Sequence, residues 1–159
     1  MTVRVYVAGS ARLLGALKAD GRLPGPLEAC GVTADVRAAL DGLDQEELEY
    51  AAFAEAAQRS LRLLEGGPMR RVVIAADVVD AAPGEGFGGL VLAGGLELAQ
   101  VAAVHADATD AARAVAEART GGPGAMDAID DHDLLWFATQ EIDDLLADLA
   151  AGGPSGPAV

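Results

Sequence analysis

Residues Val72-Val73-Ile74-Ala75-Ala76-Asp77-Val78-Val79 run without a polar side chain until Asp77. Successive side chains of a strand point to opposite faces, so a run that is apolar at every position and rich in β-branched residues belongs to a central strand covered on both faces. The chain is therefore expected to build a sheet around this segment. Whether that sheet is open or sandwiched does not follow from the run itself.

The flanking patterns supply the other elements. Val3, Val5 and Val7 alternate with Arg4 and Tyr6, the period-two pattern of a strand. Gly9 breaks it, and Ser10 is placed to cap a short helix carrying Leu13, Leu14 and Leu17. Residues 21–31, with Pro24 and Pro26, read as a loop, and Thr33 opens a short helix through Val36 and Leu40. Asp44 and Glu47 have capping-box spacing. Tyr50, Phe53, Ala54, Ala57, Leu61 and Leu64 then recur on one helical face until Gly66-Gly67-Pro68 ends the helix. A long helix over about 44–65, with that face on the sheet, is the expectation. Further along, residues 83–89 are turn-rich, 90–93 and 101–106 read as strands, and 109–119 as a helix. Residues 134–137 are a last strand or the lead-in to a helix, and Ile142, Leu145, Leu146 and Leu149 mark a final amphipathic helix. If 134–138 is a strand, both of its faces are apolar, so it should be an inner strand with the only tryptophan, Trp136, buried.

This order predicts an α+β fold: a mixed sheet of four to five strands with the long amphipathic helix packed on one face. At 159 residues, 1–151 are expected to form a single domain and 152–159 a flexible Gly/Pro/Ser tail.

Charge and cysteine usage narrow the function. The net charge is −14, with 11 basic and 25 acidic residues, a field that repels a phosphate backbone; no nucleic-acid partner is expected. Residues 68–159 hold 15 acidic and 4 basic side chains, and from Thr120 onward there is no lysine or arginine. The most membrane-like stretch, residues 86–96, is glycine-loaded and about half the ~20 residues a span needs, so no membrane partner is expected. Cys30 is alone and cannot close an intramolecular disulfide; with no signal-peptide pattern at the N-terminus, a cytoplasmic setting is expected.

Several segments carry a resemblance that spans residues 3–142. They are Val3-Arg4-Val5-Tyr6-Val7, residues 46–52, residues 70–78, Val101-Ala102-Ala103-Val104-His105-Ala106-Asp107, and, most distinctive, His132-Asp133-Leu134-Leu135-Trp136-Phe137-Ala138-Thr139-Gln140-Glu141-Ile142. Together they resemble a family of small, uncharacterised actinobacterial proteins with a domain of unknown function. The resemblance implies a bacterial origin and carries no activity, cofactor or catalytic residue with it.

No standard catalytic motif is found. The glycines of residues 84–89 are read as a turn and not as a dinucleotide-binding loop, no Gly-Lys-Ser/Thr exists, and Ser10, Ser60 and Ser155 form no nucleophile elbow. Two histidines remain. His105 and Asp107 sit two apart at a strand end and share a face; with His132 and Asp133 beside them they could bind a divalent transition metal. The simpler reading makes His105 a half-buried strand residue and His132 an exposed imidazole among aspartates. Asp127, Asp130, Asp131 and Asp133 lack the alternate-position ligands, glycine and glutamate of a calcium loop and read as a solvated acidic surface. Arg70-Arg71 could grip an anionic ligand, but salt bridges to the acidic surface are the favoured role.

Three functions follow. The first is a non-enzymatic binding or protein-interaction domain, a homodimer or other homo-oligomer whose acidic face steers a basic protein partner, with no cofactor. The second is a small metal-dependent enzyme using His105, Asp107 and His132. The third is a small-molecule sensor with a pocket between helix and sheet.

Overall fold

The structure is a computed structural model, and it describes residues 1–121 and 124–152. The tail expected at 152–159 lies, beyond Gly152, outside the described residues. At the centre of the fold stand β1 (Val3–Gly9) and β4 (Val72–Val78), paired antiparallel along their whole length from Val3 opposite Val78 to Gly9 opposite Val72. Outward from β1 lie β3 (Leu27–Cys30), β6 (Gly89–Leu92) and the short β5 (Ala82–Pro83). Outward from β4 lie β8 (Val101–Ala106) and β9 (Leu135–Phe137), giving the order β5-β6-β3-β1-β4-β8-β9. A separate two-stranded ribbon joins β2 (Arg22–Leu23) to β7 (Leu96–Glu97).

The α+β class holds, but the sheet has seven strands and not four or five, and its pairings are antiparallel and not mixed. The two extra strands are β3, from residues 21–31 read as loop, and the two-residue β5; such short segments become strands once a partner strand is in register.

Helices cover both faces. On one, Val5, Val7, Val72, Ile74, Ala76 and Val104 pack against Leu14 and Leu17 of α1 (Ala11–Asp20) and against Ile142, Leu145 and Leu149 of α6 (Ile142–Gly152). Ser10 caps α1 by accepting from the Leu13 N–H at 3.1 Å, and Gly21 ends it in a left-handed conformation, φ 77°. Between α1 and the long helix lies α2 (Ala34–Ala39). On the opposite face Tyr6, Cys30, Val73 and Ala75 meet Ala52, Ala56 and Ala57 of α3 (Gln45–Ser60). Next to α3, Leu61 and Leu64 join Val115 and Ala118 of α4 (Ala112–Thr120) and Ile129 of α5 (Ala125–Ile129). Among the described residues, no helix is long and apolar enough to cross a membrane.

Two expectations are corrected. The Asp44–Glu47 capping box forms with both reciprocal bonds, at 2.9 and 3.1 Å, but α3 stops at Ser60 and a short 3-10 turn covers Leu61–Leu63. Its sheet-facing side is the alanine stripe with Leu48 and Ser60, whereas Tyr50 is 64% exposed and Phe53 only partly buried. Small side chains let the helix lie close to the strands, and the large aromatics flank the contact. The second correction is Trp136: β9 is an edge strand, with no strand paired to its outer side among the described residues, and the indole is 61% exposed.

Candidate functional site

Because α3 covers the sheet over β3, β1 and β4, the same face is open above β8 and β9. A groove of about 940 Å³ occupies that gap. Its floor is made of Tyr6, Ala75, Ala103, His105 and Trp136 from four strands. Glu46, Glu49, Tyr50 and Phe53 of α3 form one wall; Met126 and Ile129 of α5, with Asp130, His132, Asp133 and Leu134 leading into β9, form the other.

Strand register explains the floor. His105 is paired with Val73 on one side and Trp136 on the other, so imidazole and indole rise on one face as cross-strand neighbours. Phe53 is the hub of the wall. Its ring meets His105 edge-on with centroids 4.8 Å apart, meets Tyr6 at 5.9 Å and 80°, and lies tilted against Tyr50 at 6.0 Å. Burial lowers the His105 pKa from its ordinary 6.5, with the Arg4 charge adding to the effect, so the imidazole is neutral at pH 7. Burial also raises the Tyr6 phenol above its ordinary 10.0, keeping it protonated.

The cations at the groove are already paired. Arg4 donates to Asp77 through Nε at 2.8 Å and Nη2 at 3.1 Å, a bidentate contact that raises the guanidinium pKa and holds the Asp77 carboxyl below the usual carboxylate range. Arg71 donates to both Asp107 oxygens, from Nε at 2.9 Å and Nη2 at 2.8 Å, and its backbone N–H reaches Oδ2 at 2.7 Å. Arg71 Nη2 also donates to the His132 carbonyl at 2.9 Å, tying the far wall to β4. With Arg4 and Arg71 neutralised, Glu46, Glu49, Asp130 and Asp133 remain as the unpaired charges of the lining.

Of the four residues nominated as metal ligands, His105, His132 and Asp133 line this groove, while Asp107 is fully buried and committed to Arg71. Among the described residues, no three His, Cys, Asp or Glu side chains come together in an arrangement that could hold a metal ion. Arg70 and Arg71 do make salt bridges: the Arg71–Asp107 pair is buried, whereas buried Arg70 donates to the exposed Asp148 of α6 at 2.7 Å and also to the Asp107 carbonyl at 2.8 Å. The glycines of 84–89 in fact fall at the first, third and sixth positions of the dinucleotide fingerprint. Context removes that reading, since the segment joins antiparallel β5 to β6 and no helix follows it. A second cleft of about 670 Å³ holds Cys30, whose thiol burial pushes up to about 11, leaving it protonated and un-nucleophilic at neutral pH.

Sequence reasoning missed Ser60. Its buried hydroxyl donates to the Gly9 carbonyl at 2.7 Å and accepts from the Val72 N–H at 3.1 Å, linking the end of α3 to the β1–β4 pair. A pocket between helix and sheet was among the expectations, but its aromatic lining was missed, because Tyr50 and Trp136 were assigned to the core. Exposure of large aromatics shows only once the covering elements are placed.

Fold and site define an α+β protein in which helices sandwich an antiparallel sheet and leave one aromatic, acid-rimmed groove open. The model of the Family of unknown function (DUF6912) matches residues 3–146, and the chain belongs to that family. No curated protein matches it, and no solved structure matches it.

Proposed function

We propose that the chain is a non-enzymatic protein-interaction domain whose groove between α3 and β9 takes a basic segment of a partner protein. The observation that carries this reading is the pair of exposed aromatics, Trp136 and Tyr50, both lining one groove from opposite elements. Aromatics of this kind anchor interfaces, and covering about 100 Å² of indole at roughly 25 cal/mol per Å² contributes about 2.5 kcal/mol. The carboxylates of the lining, within a chain of net charge −14, steer a cationic partner to it. A cytoplasmic setting and an actinobacterial origin belong to the same reading, the latter on the resemblance over residues 3–142.

Isothermal titration with a lysine- and arginine-rich peptide tests it. Saturable binding is expected, weakening as salt rises and weakened by Tyr50→Ala. Equal heats from an acidic peptide of the same length, or none from either, would overturn it. A second copy of the chain is the alternative occupant, favoured by one observation: β9 is an edge strand with Leu135 48% exposed beside Trp136. Light scattering distinguishes a dimer that Trp136→Ala breaks from a monomer that binds peptide.

A further inference from the structure

Resting on that reading, we infer that the side chain anchored in the groove is a methylated lysine of the basic partner, held by the aromatic surface of Phe53, Tyr50 and Trp136 in preference to an unmodified lysine.

The argument begins with where the groove keeps its charge. A bare ammonium is compact and strongly hydrated, and it gives up water only for hydrogen-bond acceptors. The ring faces of Phe53, Tyr50 and Trp136 offer none: the acceptors of the lining lie elsewhere, at the Tyr6 hydroxyl, one nitrogen of neutral His105 and the wall carboxylates of Glu46, Glu49, Asp130 and Asp133. A trimethylated ammonium keeps its charge, has no N–H to satisfy and presents methyl groups to ring faces. Aromatic surfaces attract such a cation within about 6 Å of a ring centroid, most strongly over tryptophan. Phe53 gathers Tyr6, Tyr50 and His105 within 6.0 Å of its own centroid, and His105 has Trp136 as its cross-strand neighbour. Rings from three strands and a helix therefore line one groove. With Arg4 and Arg71 held by Asp77 and Asp107, no unpaired guanidinium of the lining opposes a cation. The volume, about 940 Å³, far exceeds one methylated ammonium group, leaving room for flanking residues of a chain and fitting a peptide better than a small solute.

The test compares one basic peptide carrying a central trimethyllysine with the same peptide carrying lysine, by calorimetry at fixed salt. The modified peptide should bind at least ten-fold more tightly, and Tyr50→Ala should bring the two affinities together. Choline and its uncharged isostere 3,3-dimethylbutanol provide the chemical control, read from saturation transfer to their methyl protons. Choline should bind weakly and the alcohol less. Equal binding of both peptides overturns the inference and leaves the basic-partner reading standing; binding of neither removes both. Equal binding of choline and the alcohol would show a merely apolar seat. Choline binding as tightly as the modified peptide would make a small solute the ligand. Either of those results also overturns the inference.

Discussion

The Phe53 ring on α3 meets the His105 imidazole on β8 edge-on, with centroids 4.8 Å apart. That contact desolvates the imidazole and couples the helix wall of the groove to its floor. Burial is the main cause of the lowered His105 pKa, and Phe53 supplies part of that burial. NMR titration of His105 should therefore give a midpoint below 6.5, and Phe53→Ala should move it back toward 6.5. Below 6.5 the unfolded chain takes up a proton at this position before the folded one does, so stability should fall as pH drops from 6.5 toward the folded midpoint. His105→Asn should flatten that part of the stability profile. Binding of a basic peptide should weaken over the same interval, because protonation adds a positive charge among Phe53, Glu49, Trp136, His132 and Asp133, with Arg4 nearby.

Removing the Asp107 carboxylate should be among the most damaging single changes in the fold. Asp107 is fully buried and accepts three bonds from Arg71, so Asp107→Ala strands a buried guanidinium. The expected loss is about 3–5 kcal/mol, the usual cost of breaking a buried ion pair on one side. Replacing Arg71 and Asp107 together with apolar residues should cost less than the sum of the two single changes. Urea denaturation of the three variants measures this; strict additivity would mean the pair is not coupled.

Leu61→Ala and Tyr50→Ala separate the core of the α3 region from its groove-facing surface. Leu61 is buried against α4 and Ile129, and its truncation should cost about 2–5 kcal/mol. Tyr50 is exposed, so Tyr50→Ala should change stability by no more than about 0.5 kcal/mol while weakening peptide binding. Thermal melts of both variants check the contrast, and a large destabilisation by Tyr50→Ala would place its ring in the core.

These differences show which parts of the structure could be read along the chain. Val72–Val78 is legible because a covered strand must be apolar on both faces, and the Asp44–Glu47 cap because its bonds are local. The strands at Arg22–Leu23, Ala82–Pro83 and Leu96–Glu97 are two residues each, too short to carry a period, and exist only through partners distant in sequence. On α3 the large aromatics suggested the buried side, but Ala52 and Ala56 take the sheet because small residues permit close approach. For Trp136, the apolar run Leu134-Leu135-Trp136-Phe137 looked too costly to leave in water. That reading counts side chains and cannot see that β9 ends the sheet. His105, His132 and Asp133 were named from the chain and do line one groove, whereas the binding surface itself is formed by Tyr50 and Trp136.

Ser60→Ala should be far costlier than its small size suggests. It leaves the Val72 N–H and the Gly9 carbonyl without the hydroxyl that serves both, in a fully buried position. A loss of about 1–3 kcal/mol is expected from those unsatisfied groups, measured by chemical denaturation. A change near zero would mean the backbone groups find other partners.

Acrylamide quenching of the single tryptophan, in the isolated protein and with a saturating basic peptide, tests the groove as a binding site most directly. The free protein should show water-like Trp136 emission and efficient quenching, since the indole is 61% exposed. Adding the peptide should shift the emission to the blue and protect it from acrylamide, and Tyr50→Ala should raise the peptide concentration required. Blue-shifted, shielded emission in the free monomer, unaltered by peptide, would contradict the account.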